Sequence, residues 1–226
     1  MSWIEIIATV FGLLCVYFTV KQKIWCWPTG LVMVILYAYI FFGVKLYSDF
    51  ILQLIYIPMQ IYGWYYWLHG GRNKTKAPVT KITRNFGVYG ILFIGSLTMI
   101  WGHTMGKYFG AACPYPDAFI AVASLLAQWL LSKKKLEAWY LWISVDIIAI
   151  SVYFYKDLYI TSGLYVVFLG LAISGLIAWR KTFYDVECPL CGGVGLQFTE
   201  SMARYGDEGV KCDSCEGTGK LLERKK

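Results

Sequence analysis

Three residues in one apolar run could do chemistry together. Trp139, Trp142 and Asp146 are spaced i, i+3, i+7 within Glu137–Tyr159, and a helix puts two indoles and a carboxylate on one face. The run is long enough to cross a bilayer, and a charge at that depth is costly unless it faces a bundle interior or a watery cavity. Two readings are open. Asp146 pairs with a neighbouring helix, or it meets a flat organic ligand held against the indoles. A second group stands in the tail, where Cys188, Cys191, Cys212 and Cys215 form two C-x-x-C-x-G-x-G copies with twenty residues between the pairs. Thiolate pairs followed by glycines that permit a tight knuckle suit a closed, structural Zn²⁺ site; a disulfide pairing is the alternative.

The elements that must position these groups follow from composition. The 226 residues are 58% hydrophobic, 18% aromatic and 15% charged, well above the apolar share and below the charged share of soluble domains. The pattern is that of an all-α polytopic membrane protein. Seven segments approach spanning length, at about 3–20, 27–43, 49–68, 86–104, 117–132, 137–155 and 159–179. The first lacks a basic region and a small-residue cleavage site, so it reads as a retained span rather than a signal peptide. The formal charge of +7 resides in short loops, which argues for orientation signals and against nucleic acid. Lys21, Lys23, Arg72, Lys74, Lys76, Lys81, Arg84, Lys133, Lys134, Lys135, Arg180 and Lys181 fall on one side, against Lys45, Lys107 and Lys156 on the other. This bias puts the N-terminus outside and the C-terminus in the cytoplasm. On that side thiols stay reduced, which favours zinc over disulfides in the tail.

The chain repeats itself. Residues 5–67, shifted by 112, lie on 117–179 without a gap, and fourteen of the 63 positions are identical. They include Lys21/Lys133, Trp27/Trp139, Gly63/Gly175 and Trp67/Trp179. The expected architecture is a parallel 3+1+3 repeat, with residues 1–68 and 117–180 as two three-helix bundles. Residues 69–116 supply a loop, a linker helix and an external loop, and 181–226 form a cytoplasmic zinc-binding tail. Parallel repeats of this kind bind substrate near the midplane, between the halves.

Polar residues form stripes within this frame. Asp49, Gln53, Tyr56 and Gln60 run i, i+4, i+7, i+11 on the third helix, and Asp117, Ser124 and Gln128 run i, i+7, i+11 on the fifth. On the seventh, Thr161, Tyr165 and Phe168 echo the third. Such residues either glue helices together or line a cavity. Asp146, Trp142 and Gln128 face Val34, Gly30 and Val16 in the repeat alignment, so they are candidates for substrate choice. Pro58, within the third helix, is expected to kink it. His69 and His103 have no partner at a catalytic spacing, and the chain carries no GxxxxGK[ST] loop for ATP. An enzyme is not indicated.

At this point SWIEIIATVFGLLCV, LYSDFILQLIYIPMQIYGWYYW and the run from PDAF to LIAW carry a family likeness. They resemble the PnuC family of vitamin transporters over residues 2–180, with GWYYW and WxxWxxxD as the specific motifs. That family is similar in fold to the SWEET sugar transporters. The resemblance implies facilitated diffusion of nicotinamide riboside across a bacterial inner membrane, without ion or ATP coupling, and trapping by a cytoplasmic kinase. It implies ligand contacts at Trp139, Trp142, Asp146, Gln53 and Gln128, and association into trimers. Many members carry Asn where this chain has Asp146, and relatives of the same fold are assigned to thiamine or riboflavin. The tail resembles the DnaJ-type cysteine-rich module, in which four thiolates hold one zinc in a zinc-ribbon-like fold. So small a segment would draw most of its folding energy from the metal.

Overall fold

The computed structural model describes residues 3–45, 47–71, 76–110 and 112–184, with a strand pair at Leu196–Gln197 (β1) and Val210–Lys211 (β2). Seven helices run in chain order: α1 Trp3–Val20, α2 Cys26–Gly43, α3 Tyr47–His69, α4 Arg84–Phe109, α5 Pro114–Ser132, α6 Ala138–Tyr155 and α7 Tyr159–Tyr184. All seven expected segments are helical. Five of them, α1, α2, α4, α6 and α7, are long and apolar enough to cross a membrane; α3 and α5 carry the polar stripes, which dilute their hydropathy. Three ends differ from expectation. The α4 helix continues to a left-handed Gly110 whose N–H caps Met105 O. The α5 helix starts earlier because Pro114 suits the first turn. The α7 helix runs on through Arg180 and Lys181, since no Gly or Pro stops it. Pro58 lies inside α3, which is assigned as one continuous helix through it.

Helices α1, α2 and α3 pack in sequence, as do α5, α6 and α7; α1 also meets α7, α3 meets α5, and α4 packs on α5. Two tight seats recur at repeat-related positions. A Cβ on Gly63 would lie 2.1–2.6 Å from the Trp27 ring, and one on Gly175 would lie 2.4–2.6 Å from the Trp139 ring. Only glycine lets these indoles lie flat on the neighbouring helix. Each indole then meets a second edge-on. Trp27 and Trp67 are 5.3 Å apart at 85°, and Trp139 and Trp179 are 5.4 Å apart at 85°. Trp67 and Trp179 touch each other at 5.7 Å, which joins the four buried rings into one cluster.

Hydrogen bonds cross between the halves in the same reciprocal way. Trp67 Nε1–H donates to Leu131 O (3.1 Å), and Trp179 Nε1–H donates to Thr19 O (3.0 Å). Both acceptors are carbonyls in the last turn of a helix, and each also accepts a turn N–H, Thr19 O from Gln22 and Leu131 O from Lys134. The inter-helix turns match too. Gln22 and Lys134 adopt φ of 52° and 54°, Lys45 and Asp157 of 63° and 59°, each closing its turn with a backbone bond.

The halves differ at the connection from α3 to α4. Thr80 N–H donates to Lys134 O and Leu136 N–H to Thr80 O, so this connection lies along the α5–α6 turn. Ile82 N–H donates to Glu137 Oε2 (3.1 Å), and the Lys134 ammonium donates to Ala77 O (2.9 Å) from above the Trp67 ring. Beside it, the Lys133 ammonium donates to the Tyr62 hydroxyl and lies 4.7–5.2 Å from the rings of Tyr62, Tyr66 and Trp129. At the opposite end of the bundle Lys156 pairs with Asp117 at 2.7 Å.

Two outcomes follow for stability. Trp67→Phe and Trp179→Phe each remove one cross-half donor, so unfolding in detergent should show losses of about 1 kcal/mol that are equal within error. Burial lowers the Lys134 ammonium to about 8. Between that value and 10.5 the unfolded chain holds the extra proton, so stability should rise with pH over that window, and Lys134→Met should flatten the rise.

Candidate functional site

Six helices enclose a cavity of about 210 Å³, and α4 contributes nothing to it. The α1 wall is Gly12, Cys15, Val16 and Thr19, with Met33 from α2, Gln60 from α3, and Gln128 and Leu131 from α5. The α6 helix adds Trp139, Trp142 and Asp146, and α7 adds Tyr165, Phe168 and Ala172. The four-indole cluster lies at one end of this space, since Trp139 belongs to both.

Apart from Thr19, three polar side chains in the wall are more than nine-tenths buried: Asp146 (3% exposed), Gln60 (4%) and Gln128 (7%). Among the described residues none of them makes a hydrogen bond or an ion pair. By contrast Thr19, in the same wall, is satisfied, its Oγ1–H donating to Cys15 O (2.8 Å), as is Ser132, whose Oγ–H donates to Trp129 O (2.7 Å). An unpartnered amide or carboxylate in a low-dielectric interior costs about 1–3 kcal/mol or more. Three such groups line one cavity and are free to pair with a molecule that enters it. The Trp139 Nε1–H is a fourth open polar group of the wall; that of Trp27 is also without a partner but lies outside the lining.

The reading that Asp146 pairs with a neighbouring helix is therefore not what this arrangement holds. Trp139, Trp142 and Asp146 come together on the cavity wall, in the company of Gln128 and Gln60. The two indoles differ in burial: Trp139 is 2% exposed and packed on Trp179, whereas Trp142 is half-buried. The remaining stripe residues of α3 lie outside the lining. Asp49 sits near Asp117 toward the far end of the bundle, and Tyr56 lies beside Ser124. Gln53 has its Oε1 buried without a partner, though it does not line this cavity. Of the lining, Tyr165 and Phe168 stand out in the sequence as echoes of the third helix. The α1 wall, Met33, Leu131 and Ala172 do not, because their largely apolar side chains read as ordinary membrane core. The four tail cysteines, Cys188, Cys191, Cys212 and Cys215, lie outside the described residues.

A family model described as "Nicotinamide mononucleotide transporter" matches residues 2–181. The chain belongs to this family. As a member it is a multi-pass inner-membrane transporter and not an enzyme. Among curated relatives, the nicotinamide riboside transporter PnuC of Neisseria mucosa is 33% identical, over 80% of this chain and 73% of that protein. The nicotinamide riboside transporter PnuC of Escherichia coli is 27% identical, over 79% of this chain and 85% of its own length. The crystal structure of the vitamin B3 transporter PnuC superposes with a TM-score of 0.61 at 31% identity, covering 80% of this chain and 82% of that one.

Proposed function

We propose that this chain carries nicotinamide riboside through the membrane by facilitated diffusion, with Trp142, Trp139, Asp146, Gln128 and Gln60 as its binding groups. The observation that carries the reading is the set of three buried, unpartnered polar side chains around a cavity walled by indoles. The nicotinamide ring of the riboside is a flat cation. Trp142 can stack on it, worth about 1–2 kcal/mol when desolvated, while Asp146 offsets its charge or accepts from ribose hydroxyls. The two glutamine amides complement a carboxamide, which needs both donor and acceptor. A mononucleotide suits the cavity less well, because none of the lining residues is Lys or Arg. The one charged side chain its phosphate would meet in this wall is the Asp146 carboxylate.

The two halves are proposed to form a parallel 3+1+3 repeat with α4 as linker, dividing the chain at 1–68, 69–116, 117–180 and 181–226. The matched Trp–Gly seats, the reciprocal indole bonds and the paired left-handed turns, all in the one repeat register, support it. The loop lysines support an outside N-terminus and a cytoplasmic C-terminus, where a kinase would trap the product. Gln53, Asp49 and Tyr56 are then groups of the access path rather than of the cavity itself. Association into trimers is carried over from the family resemblance.

Purified protein in liposomes, offered labelled nicotinamide riboside, nicotinamide mononucleotide, thiamine and riboflavin, should take up the riboside. Uptake of none of them by folded protein would overturn transport; uptake of another alone would reassign the substrate. Trp142→Ala should insert normally and raise the Kd about tenfold, and unchanged affinity would reduce the indole to packing.

For the tail, the proposed ligands of a structural Zn²⁺ are Cys188, Cys191, Cys212 and Cys215. The support is the spacing of the two C-x-x-C-x-G-x-G copies; β1 and β2, which pair antiparallel with Leu196 opposite Lys211, both lie in the sequence between the two cysteine pairs. Metal analysis should find one zinc per chain, falling to near zero in a Cys188→Ser, Cys212→Ser double variant.

A further inference from the structure

The Gln60 amide faces the cavity with no hydrogen-bond partner among the described residues, so something other than a hydrogen bond sets its direction. Shape does. A Cβ built on Gly30 would lie 2.6 Å from Gln60 Nε2 and 2.9 Å from its Oε1. The amide therefore occupies the hollow that the missing side chain of α2 leaves. Position 30 lies outside the cavity wall, and nothing in the sequence around it marks it as functional.

The second half of the chain fills the equivalent space in the opposite sense. At the repeat-related positions, Trp142 stands in place of Gly30 and Ala172 in place of Gln60. Both of these line the cavity. In the first half the second helix is small and the third supplies a long polar side chain. In the second half the second helix supplies the large indole and the third is small. One site results, with an amide from one half and an indole from the other.

We propose that Gly30 is a positioning residue for substrate recognition: its empty side-chain space seats the Gln60 amide so that the amide faces a substrate lying on Trp142. The inference rests on the reading of this cavity as the riboside site. A glutamine amide offers a donor and an acceptor on opposite atoms, so its value to a ligand depends on how it is turned. In a low-dielectric cavity a misdirected amide leaves both itself and the ligand group unpaired. A methyl at position 30 would displace the far end of a flexible side chain rather than backbone. Helix packing survives such a change and orientation does not. The thiol of Cys15, at 2.9 Å, is the other atom a Cβ would press on.

The test is calorimetric titration of nicotinamide riboside into the purified full chain as wild type, Gly30→Ala, Gln60→Ala and the double variant. Each single change should raise the Kd about tenfold. The double variant should bind no more weakly than Gln60→Ala, because no amide remains to be misplaced. A double variant weaker than Gln60→Ala by the full Gly30→Ala factor, or a Gly30→Ala protein of wild-type affinity, would overturn the assignment. Should Gly30→Ala fail to fold, the double variant decides: truncating Gln60 removes the two amide contacts and leaves only the Cys15 thiol at 2.9 Å to give way, so it should fold and bind as Gln60→Ala does, and a folded double variant of weaker affinity overturns the assignment. Wild-type protein that binds no riboside overturns the cavity reading and this inference with it, whereas additive variants of a riboside-binding protein overturn the Gly30 assignment alone.

Discussion

The close approach of α2 to α3 and of α6 to α7 governs the rest of the bundle. In lipid there is little hydrophobic drive for helices to associate, so packing depth and interhelical hydrogen bonds must hold them. Gly63 and Gly175 supply the depth by admitting the rings of Trp27 and Trp139 to distances that any side chain would block. The rings so seated meet Trp67 and Trp179 edge-on, and these in turn reach across to carbonyls of the other half. One local constraint, a tryptophan over a glycine, thus propagates into the contact between halves. The helix-end carbonyls that receive the indole N–H groups also accept the N–H groups of Gln22 and Lys134, so each inter-helix turn is tied to the other half.

The cavity inherits its chemistry from this packing. Trp139 is held by the indole cluster, and Trp142, one turn along the same helix, is left half-exposed to the cavity. Asp146, Gln128 and Gln60 are buried there with no protein partners among the described residues, a state that a well-packed apolar interior avoids. On the proposed reading, the polar groups and the aromatic surface meet a substrate that supplies charge, hydrogen bonds and a flat face together. Family membership and the likeness to the solved vitamin B3 transporter place the chain among transporters.

Much of the frame is legible in the order of the amino acids. The seven helices, the shared repeat register and the grouping of Trp139, Trp142 and Asp146 all come from periodicity and from matched Trp, Gly and Lys positions. The outcome for α3 is less legible. Its stripe of Asp49, Gln53, Tyr56 and Gln60 shares one face, yet only Gln60 lines the cavity. Helical periodicity reports the angle of a side chain around its own axis. It says nothing of depth along the bundle, and the cavity wall, which runs from Gly12 to Thr19 on α1 and from Trp139 to Asp146 on α6, meets the stripe only at its Gln60 end.

By itself, then, the sequence determined the membrane class, the helix count, the internal repeat and a short set of residues able to bind a flat polar ligand. Each of these depends on local spacing or on composition, which the chain carries wherever it folds. Tertiary structure alone decided which members of that set converge, that Cys15, Met33 and Ala172 complete the wall, and that an absent side chain at Gly30 seats the Gln60 amide. These depend on which helix opposes which and how closely, a matter settled between residues far apart in the chain by shape and by the interhelical bonds of its tryptophans.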